Sequence, residues 1–162
     1  WTTGLEVLND GKARAKNGLL FGTDTVAGNA LDDYEQGTWS PRISDGTNDN
    51  AAYSQQTGKY VKVGNAVTIQ GRVATTTLNS VTGNLLLSNL PFTNGSVYGT
   101  IAVSYARDLN ITAGQSVSGF IGSNSTDVAL RIWNTAVGSD YLNSTQWTSN
   151  GHIMFSATYT AF

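Results

Sequence analysis

Three carboxylates stand within four positions, Asp32, Asp33 and Glu35, beside the aromatics Tyr34 and Trp39. Paired carboxylates can cleave a glycosidic bond when they flank it from opposite sides, about 5–10 Å apart. Acids adjacent in sequence seldom oppose each other within one chain. The favoured reading is therefore that they cap loops or pair with Lys12, Arg14, Lys16 or Arg42. They lack the Asp-x-Asp-x-Asp-Gly spacing of a calcium loop. His152 is the sole histidine, so a Ser-His-Asp set or a histidine-led metal site would have to use it. It follows the turn signal Asn150-Gly151 at the start of a strand-like run, where a histidine without chemistry is the simpler reading. No phosphate-cradling glycine loop and no paired-cysteine motif occurs. No catalytic residue, metal ligand or cofactor is assigned.

Aromatic side chains on polar strand faces carry a clearer signal. Trp133 shares strand parity with Arg131 and Asp127, while Tyr98, Tyr141 and Trp147 fall at strand ends or in loop-rich stretches. Sugar rings stack on Trp and Tyr, and Arg and Asp bond their hydroxyls. Aromatics with a polar tip suit a subunit interface equally well. These six residues form the candidate glycan site, with a subunit interface and ordinary packing as the competing readings.

The elements that must position them are strands. Lys59 to Val63 and Ala66 to Thr75 flank Gly64-Asn65 as a hairpin with a two-residue turn. Its two strands are expected to share one apolar and one polar face, with Val61 and Val63 alternating against Tyr60 and Lys62. Thr38 to Ser44 reads as a first strand, in which Pro41 demands an edge or bulge. Further runs are Leu85 to Leu87, Tyr98 to Tyr105, Val117 to Ile121, Val128 to Trp133 and His152 to Ala161. Ile101, Val103 and Tyr105 are expected on one side; so are Val128, Leu130 and Ile132, and Ile153, Phe155, Ala157 and Tyr159. About eight strands without a helical segment predict an all-β, antiparallel two-sheet β-sandwich, jelly-roll-like, with a closed barrel as the alternative. Before them, residues 1–36 read as an extended segment with two short strands and turns at Asp10-Gly11 and Asn17-Gly18. Residues 37–162 form the predicted sandwich domain.

Composition narrows the class. Charged residues make up 12% of 162 positions, about half the usual fraction, and Thr, Ser, Asn and Gly carry the polarity instead. With 40% hydrophobic residues the chain is not of disordered type. A net charge of −2 argues against nucleic acid as partner. No apolar run reaches the roughly 18 residues of a bilayer span. There is no cysteine, so robustness has to come from packing or subunit association. The four Asn-x-Ser/Thr sequons, at Asn94, Asn110, Asn124 and Asn143, follow from composition. The opening Trp1-Thr-Thr-Gly, with no initiator Met, leads to the expectation that the chain ends a longer polypeptide.

Several strings together resemble one family. They are Gly18-Leu-Leu-Phe-Gly-Thr-Asp-Thr, Asn29-Ala-Leu-Asp-Asp-Tyr-Glu-Gln-Gly-Thr-Trp-Ser-Pro and Gly58-Lys-Tyr-Val-Lys-Val-Gly-Asn, followed by Leu90-Pro-Phe-Thr and Leu109-Asn-Ile-Thr-Ala-Gly-Gln-Ser-Val. The chain from Leu5 onward resembles the C-terminal region of tailed-bacteriophage tail fibres and tailspikes. The resemblance implies a homotrimer on the virion, joined to other tail proteins, whose distal domain meets a bacterial surface polysaccharide outside the cell. It implies a neck in residues 1–36, with Leu19, Leu20, Phe21, Tyr34 and Trp39 as candidate trimer or neck contacts. A structural trimerisation cap without a receptor role is the alternative, and a share in a glycan depolymerase a further one.

Overall fold

The computed structural model describes residues 4–15, 18–20, 22–23, 25–26, 31, 33–134 and 138–162. Among them, twelve strands and one 3-10 turn (Ser144–Gln146) make up the regular structure. A short hairpin comes first, β1 (Leu5–Val7) against β2 (Ala13–Ala15). Its turn contains Asp10-Gly11, with Gly11 at φ 82° and the Gly11 N–H donating to the Leu8 carbonyl at 2.9 Å. This matches the two short strands expected there. Arg14 pairs with Glu6 across the hairpin at 2.6 Å. Phe21, Asp32 and Lys16 lie outside the described residues.

The other ten strands form a single antiparallel sheet. They are β3 (Tyr34–Trp39), β4 (Arg42–Ser44), β5 (Ala52–Val63), β6 (Ala66–Thr77), β7 (Leu86–Ser88), β8 (Gly99–Leu109), β9 (Ser116–Ile121), β10 (Val128–Asn134), β11 (Gly138–Tyr141) and β12 (Trp147–Thr160). The order is β3-β5-β6-β12-β8-β9-β10-β7-β4, with β11 paired to β10. The all-β, antiparallel expectation holds. The hydrogen-bonded path is continuous rather than divided between two sheets. Tyr34, Glu35 and Gln36, expected in the neck, pair with Val63, Lys62 and Val61 inside it.

The expected strand Thr38 to Ser44 is two strands instead. β3 lies at one end of the sheet and β4 at the other, with only Ser40 and Pro41 between them. Such a link spans about 10 Å, so the sheet must curl until its ends meet. Pro41 lacks the N–H that a continuing ladder would need. The seam is closed by the Ile43 N–H, which donates to the Tyr53 hydroxyl at 2.7 Å.

The curl encloses one core. Ile43, Leu85, Leu87, Ile121, Leu130 and Ile153 are fully buried in it. The expected alternation in β10 and β12 holds, with Val128, Leu130, Ile132, Ile153, Phe155, Ala157 and Tyr159 all inward. In β5 it is inverted. Val63 pairs with Ala66 across the turn, so Val61 faces out beside Thr68 while Lys62 faces in beside Val67. Lys62 is buried, held by Asp33, with its ammonium 5.6 Å above the Phe92 ring. A bulge in β8 likewise turns Tyr105 outward, opposite Met154, while Val103 stays opposite Phe155.

Inside the core, aromatic rings lie on glycines of the neighbouring strand. Trp39 covers its pairing partner Gly58, Tyr60 covers Gly37, and Phe155 covers Gly71. A fourth ring, Trp147, lies on Gly151 of its own strand. A methyl group at Gly58 would meet the Trp39 indole below contact distance. Gly58→Ala should therefore lower unfolding stability by about 1–3 kcal/mol, read from urea melts.

Burial pushes the Tyr159 hydroxyl up to about 12. It donates to the Phe92 carbonyl at 3.0 Å and accepts from the Phe92 N–H at 3.3 Å, tying down Leu90-Pro-Phe92. A raised folded value means that the unfolded chain loses this proton first. The stabilisation is present below pH 10 and fades as pH rises toward 12, by about 2 kcal/mol. Tyr159→Phe should flatten that alkaline fall in melts recorded across this window.

Candidate binding site

The outward faces of β9, β10 and β11 carry the main aromatic cluster. The pairing puts Arg131 opposite Ser118 and Tyr141, and Trp133 opposite Ser116 and Ser139. The two serines beside Trp133 are small, which leaves its indole 52% exposed. The Arg131 guanidinium carbon lies 4.1 Å from the Tyr141 ring centre and 6.0 Å from that of Phe120. Arg131 Nη2 donates to the Ser139 carbonyl at 2.7 Å. That bond fixes the plane of the guanidinium, so little rotamer freedom remains for a ligand to remove.

Tyr98 extends the stripe. Its ring is 5.8 Å from Phe120, and the residue is 66% exposed. Asn94 holds the loop beneath it. This buried side chain donates from Nδ2 to the carbonyls of Val97 and Gly122, both at 2.8 Å. The result is a row of Tyr141, Arg131, Phe120 and Tyr98 with Trp133 alongside. Flat π faces, a fixed cation and serine hydroxyls suit a ring with hydroxyl groups and C–H faces.

Four of the six expected site residues therefore come together: Trp133, Arg131, Tyr141 and Tyr98. Phe120, which links them, is an addition. Its outward direction was readable from Val117, Gly119 and Ile121, which point inward on the same short strand. Two expected residues lie elsewhere. Trp147 is a core residue whose indole N–H donates to Thr75 Oγ1 at 2.8 Å, which removes it from any surface site. Asp127 has the expected parity but lies about 20 Å along the strand from Trp133. It lines a shallow polar hollow of 230 Å3 with Ser44, Asp49 and Ser88.

The expected neck contacts also divide. Leu19 and Leu31 exchange backbone hydrogen bonds at 3.0 and 2.9 Å, and Leu19, Leu20 and Tyr34 are exposed. Trp39 is buried against Phe155, ring centres 6.1 Å apart, so it serves this chain's core rather than a neighbour. The described acids of the same stretch are engaged. Asp33 holds Lys62, and Glu35 accepts from the Tyr60 hydroxyl at 2.5 Å, which pushes the Tyr60 pKa up. Neither acid pairs with Lys12, Arg14 or Arg42, the described cations among those expected from the sequence.

His152 is enclosed although its strand parity points outward. Arg72 Nε donates to its Nε2 at 2.8 Å, the Tyr105 ring packs edge-on at 5.1 Å, and Arg107 pairs opposite. Nδ1 is buried without a partner among the described residues. Burial first, then the charges of Arg72 and Arg107, push its pKa below 6.5, against the opposing charge of Asp108. A depressed folded value stabilises the fold above pH 6.5 and loses that contribution as pH falls through the folded pKa. The His152 ring signals should titrate below 6.5, and Arg72→Gln should raise their midpoint, as followed by proton–carbon NMR.

The fold is similar to a solved tailspike. The crystal structure of the Dettilon tailspike protein (gp208) matches with a TM-score of 0.69 and 17% sequence identity, over 78% of this chain and 24% of that one. The chain thus spans about a quarter of that tailspike's length. No family model matches the sequence, and no curated protein is similar to it at a significant level.

Proposed function

We propose that this chain is the distal, receptor-binding domain of a phage tail fibre or tailspike, and that it attaches the virion to a bacterial surface polysaccharide. The observation that carries the reading is the pre-ordered stripe of Trp133, Arg131, Tyr141, Phe120 and Tyr98 on an exposed sheet face. Its rings supply stacking platforms, and its guanidinium and serines supply hydrogen bonds to sugar hydroxyls. The similarity of the fold to a tailspike supports the virion setting. On this reading the curled sheet serves as a jelly-roll-like head in a homotrimer. The other tail proteins join it through further parts of a longer polypeptide, and the domain itself is a binding module rather than an enzyme.

A specific observation favours a second reading, a structural trimerisation cap. Tyr34, Val61 and Val63 form an exposed apolar set on the outer face of β3 and β5, and Leu19 and Leu20 are exposed as well. Apolar groups of this kind are what a neighbouring copy would cover.

Trp133→Ala and Tyr141→Ala separate the two. The receptor reading expects about a tenfold loss of binding to a responsive bacterial polysaccharide, with the particle mass by light scattering unchanged. A fall in mass for Val61→Asp in the β3–β5 patch, with binding intact, would support the cap instead.

A further inference from the structure

Charge is scarce in this chain, and most of the described cations are cancelled locally. Lys12, Arg14, Arg42, Lys62 and Arg107 each hold a carboxylate. Among the described residues, Lys59, Arg72 and Arg131 do not. Arg131 belongs to the aromatic stripe. Lys59 and Arg72 are diagonal neighbours on the outer face of β5 and β6, since Lys59 pairs with Gln70 and Thr57 with Arg72. The three long adjacent strands β5, β6 and β12 contain no Asp or Glu.

Arg72 spends one donor on a partner that brings no charge. Its Nε meets the Nε2 of His152, an imidazole kept neutral by burial and by its cationic neighbours. The bond sets the guanidinium plane and leaves its terminal nitrogens for an acceptor. A planar fork of that kind fits a carboxylate through two parallel bonds. Beside it is a hollow of 340 Å3 lined by Thr57, Lys59, Gln70, Arg72 and Met154 and floored by the backbone at Gly58 and Gly71. Thr57 and Gln70 offer hydroxyl and amide groups, and Met154 an apolar wall. A bare anion needs only the cations; a sugar acid would use all of these groups.

We propose that Lys59 and Arg72 form an anion site on the outer face of β5 and β6 that takes the carboxylate of an acidic sugar. The site is separate from the aromatic stripe and does not depend on it: Arg72 on β6 and Arg131 on β10 are four strands, or about 19 Å, apart across the sheet.

His152, the sole histidine, is a built-in reporter, because it touches Arg72 directly. The experiment follows its ring signals in the 162-residue chain as sodium D-glucuronate is added, with D-glucose and sodium sulfate as controls. Glucuronate should give a saturable shift in the millimolar range, glucose none, and sulfate a weaker one. Lys59→Gln should weaken glucuronate about threefold, as for one solvent-exposed ion pair, while Trp133→Ala should leave the response intact. No saturable shift with glucuronate would overturn the site. Sulfate binding as tightly as glucuronate would overturn the sugar assignment. A drop in particle mass for Lys59→Gln would overturn it too, by giving the lysine to contact between copies.

Discussion

Rings seated on glycines hold this fold together. Trp39 on Gly58, Tyr60 on Gly37 and Phe155 on Gly71 are all directly opposed pairs in neighbouring strands. A glycine in a strand sacrifices side-chain packing and adds backbone freedom to the unfolded chain. Here a large ring fills the vacated space and covers the exposed peptide. Each pair also fixes register, because a slip of one residue would set a ring against a side chain instead of a gap. The Trp39–Phe155 contact joins two of these pairs on the inner face of the sheet, over Gly58 and Gly71, which pair with each other. These pairs hold the register of β3, β5, β6 and β12, the strands that lead into the seam at Ser40–Pro41.

Much of that plan was legible in the sequence. Strand type and the inward faces of β10 and β12 followed from strict alternation, and the hairpin from Gly64-Asn65. The inversion of β5 was legible in principle. A two-residue turn pairs Val63 with Ala66, which commits Lys62 rather than Val61 to the face of Val67. Counting valines as inward gave the wrong face, because Asp33 and Phe92, which make the buried lysine tolerable, are remote in sequence. The split at Pro41 was not legible, because no local signal says that two consecutive strands belong to opposite ends of a sheet. Trp147 looked like a surface residue because it follows the polar run Asn143 to Gln146. Its glycine seat and its partner Thr75 become visible only in three dimensions.

The same geometry sorts the polar groups. Cations that meet an acid are spent on it, whereas Lys59 and Arg72 on β5 and β6 meet none among the described residues. The aromatic stripe lies on short strands, where small residues such as Ser116, Ser118 and Ser139 leave room around the rings. β10 thus carries Arg131 and Trp133 on its outer face and the core residues Val128, Leu130 and Ile132 on its inner one.

The last of the described strands lies inside the sheet rather than at an edge. β12 lies between β6 and β8 and joins β3-β5-β6 to the remainder of the sheet. A ribosome delivers that strand after every other. Until it arrives the nascent chain holds two part-sheets with open, facing edges and no complete core. Folding of the sheet is therefore withheld until β12 has been made, and a product cut short before Trp147 cannot join its two parts. Such an arrangement acts as a check on completeness: a chain that stops before β12 cannot close its sheet or its core.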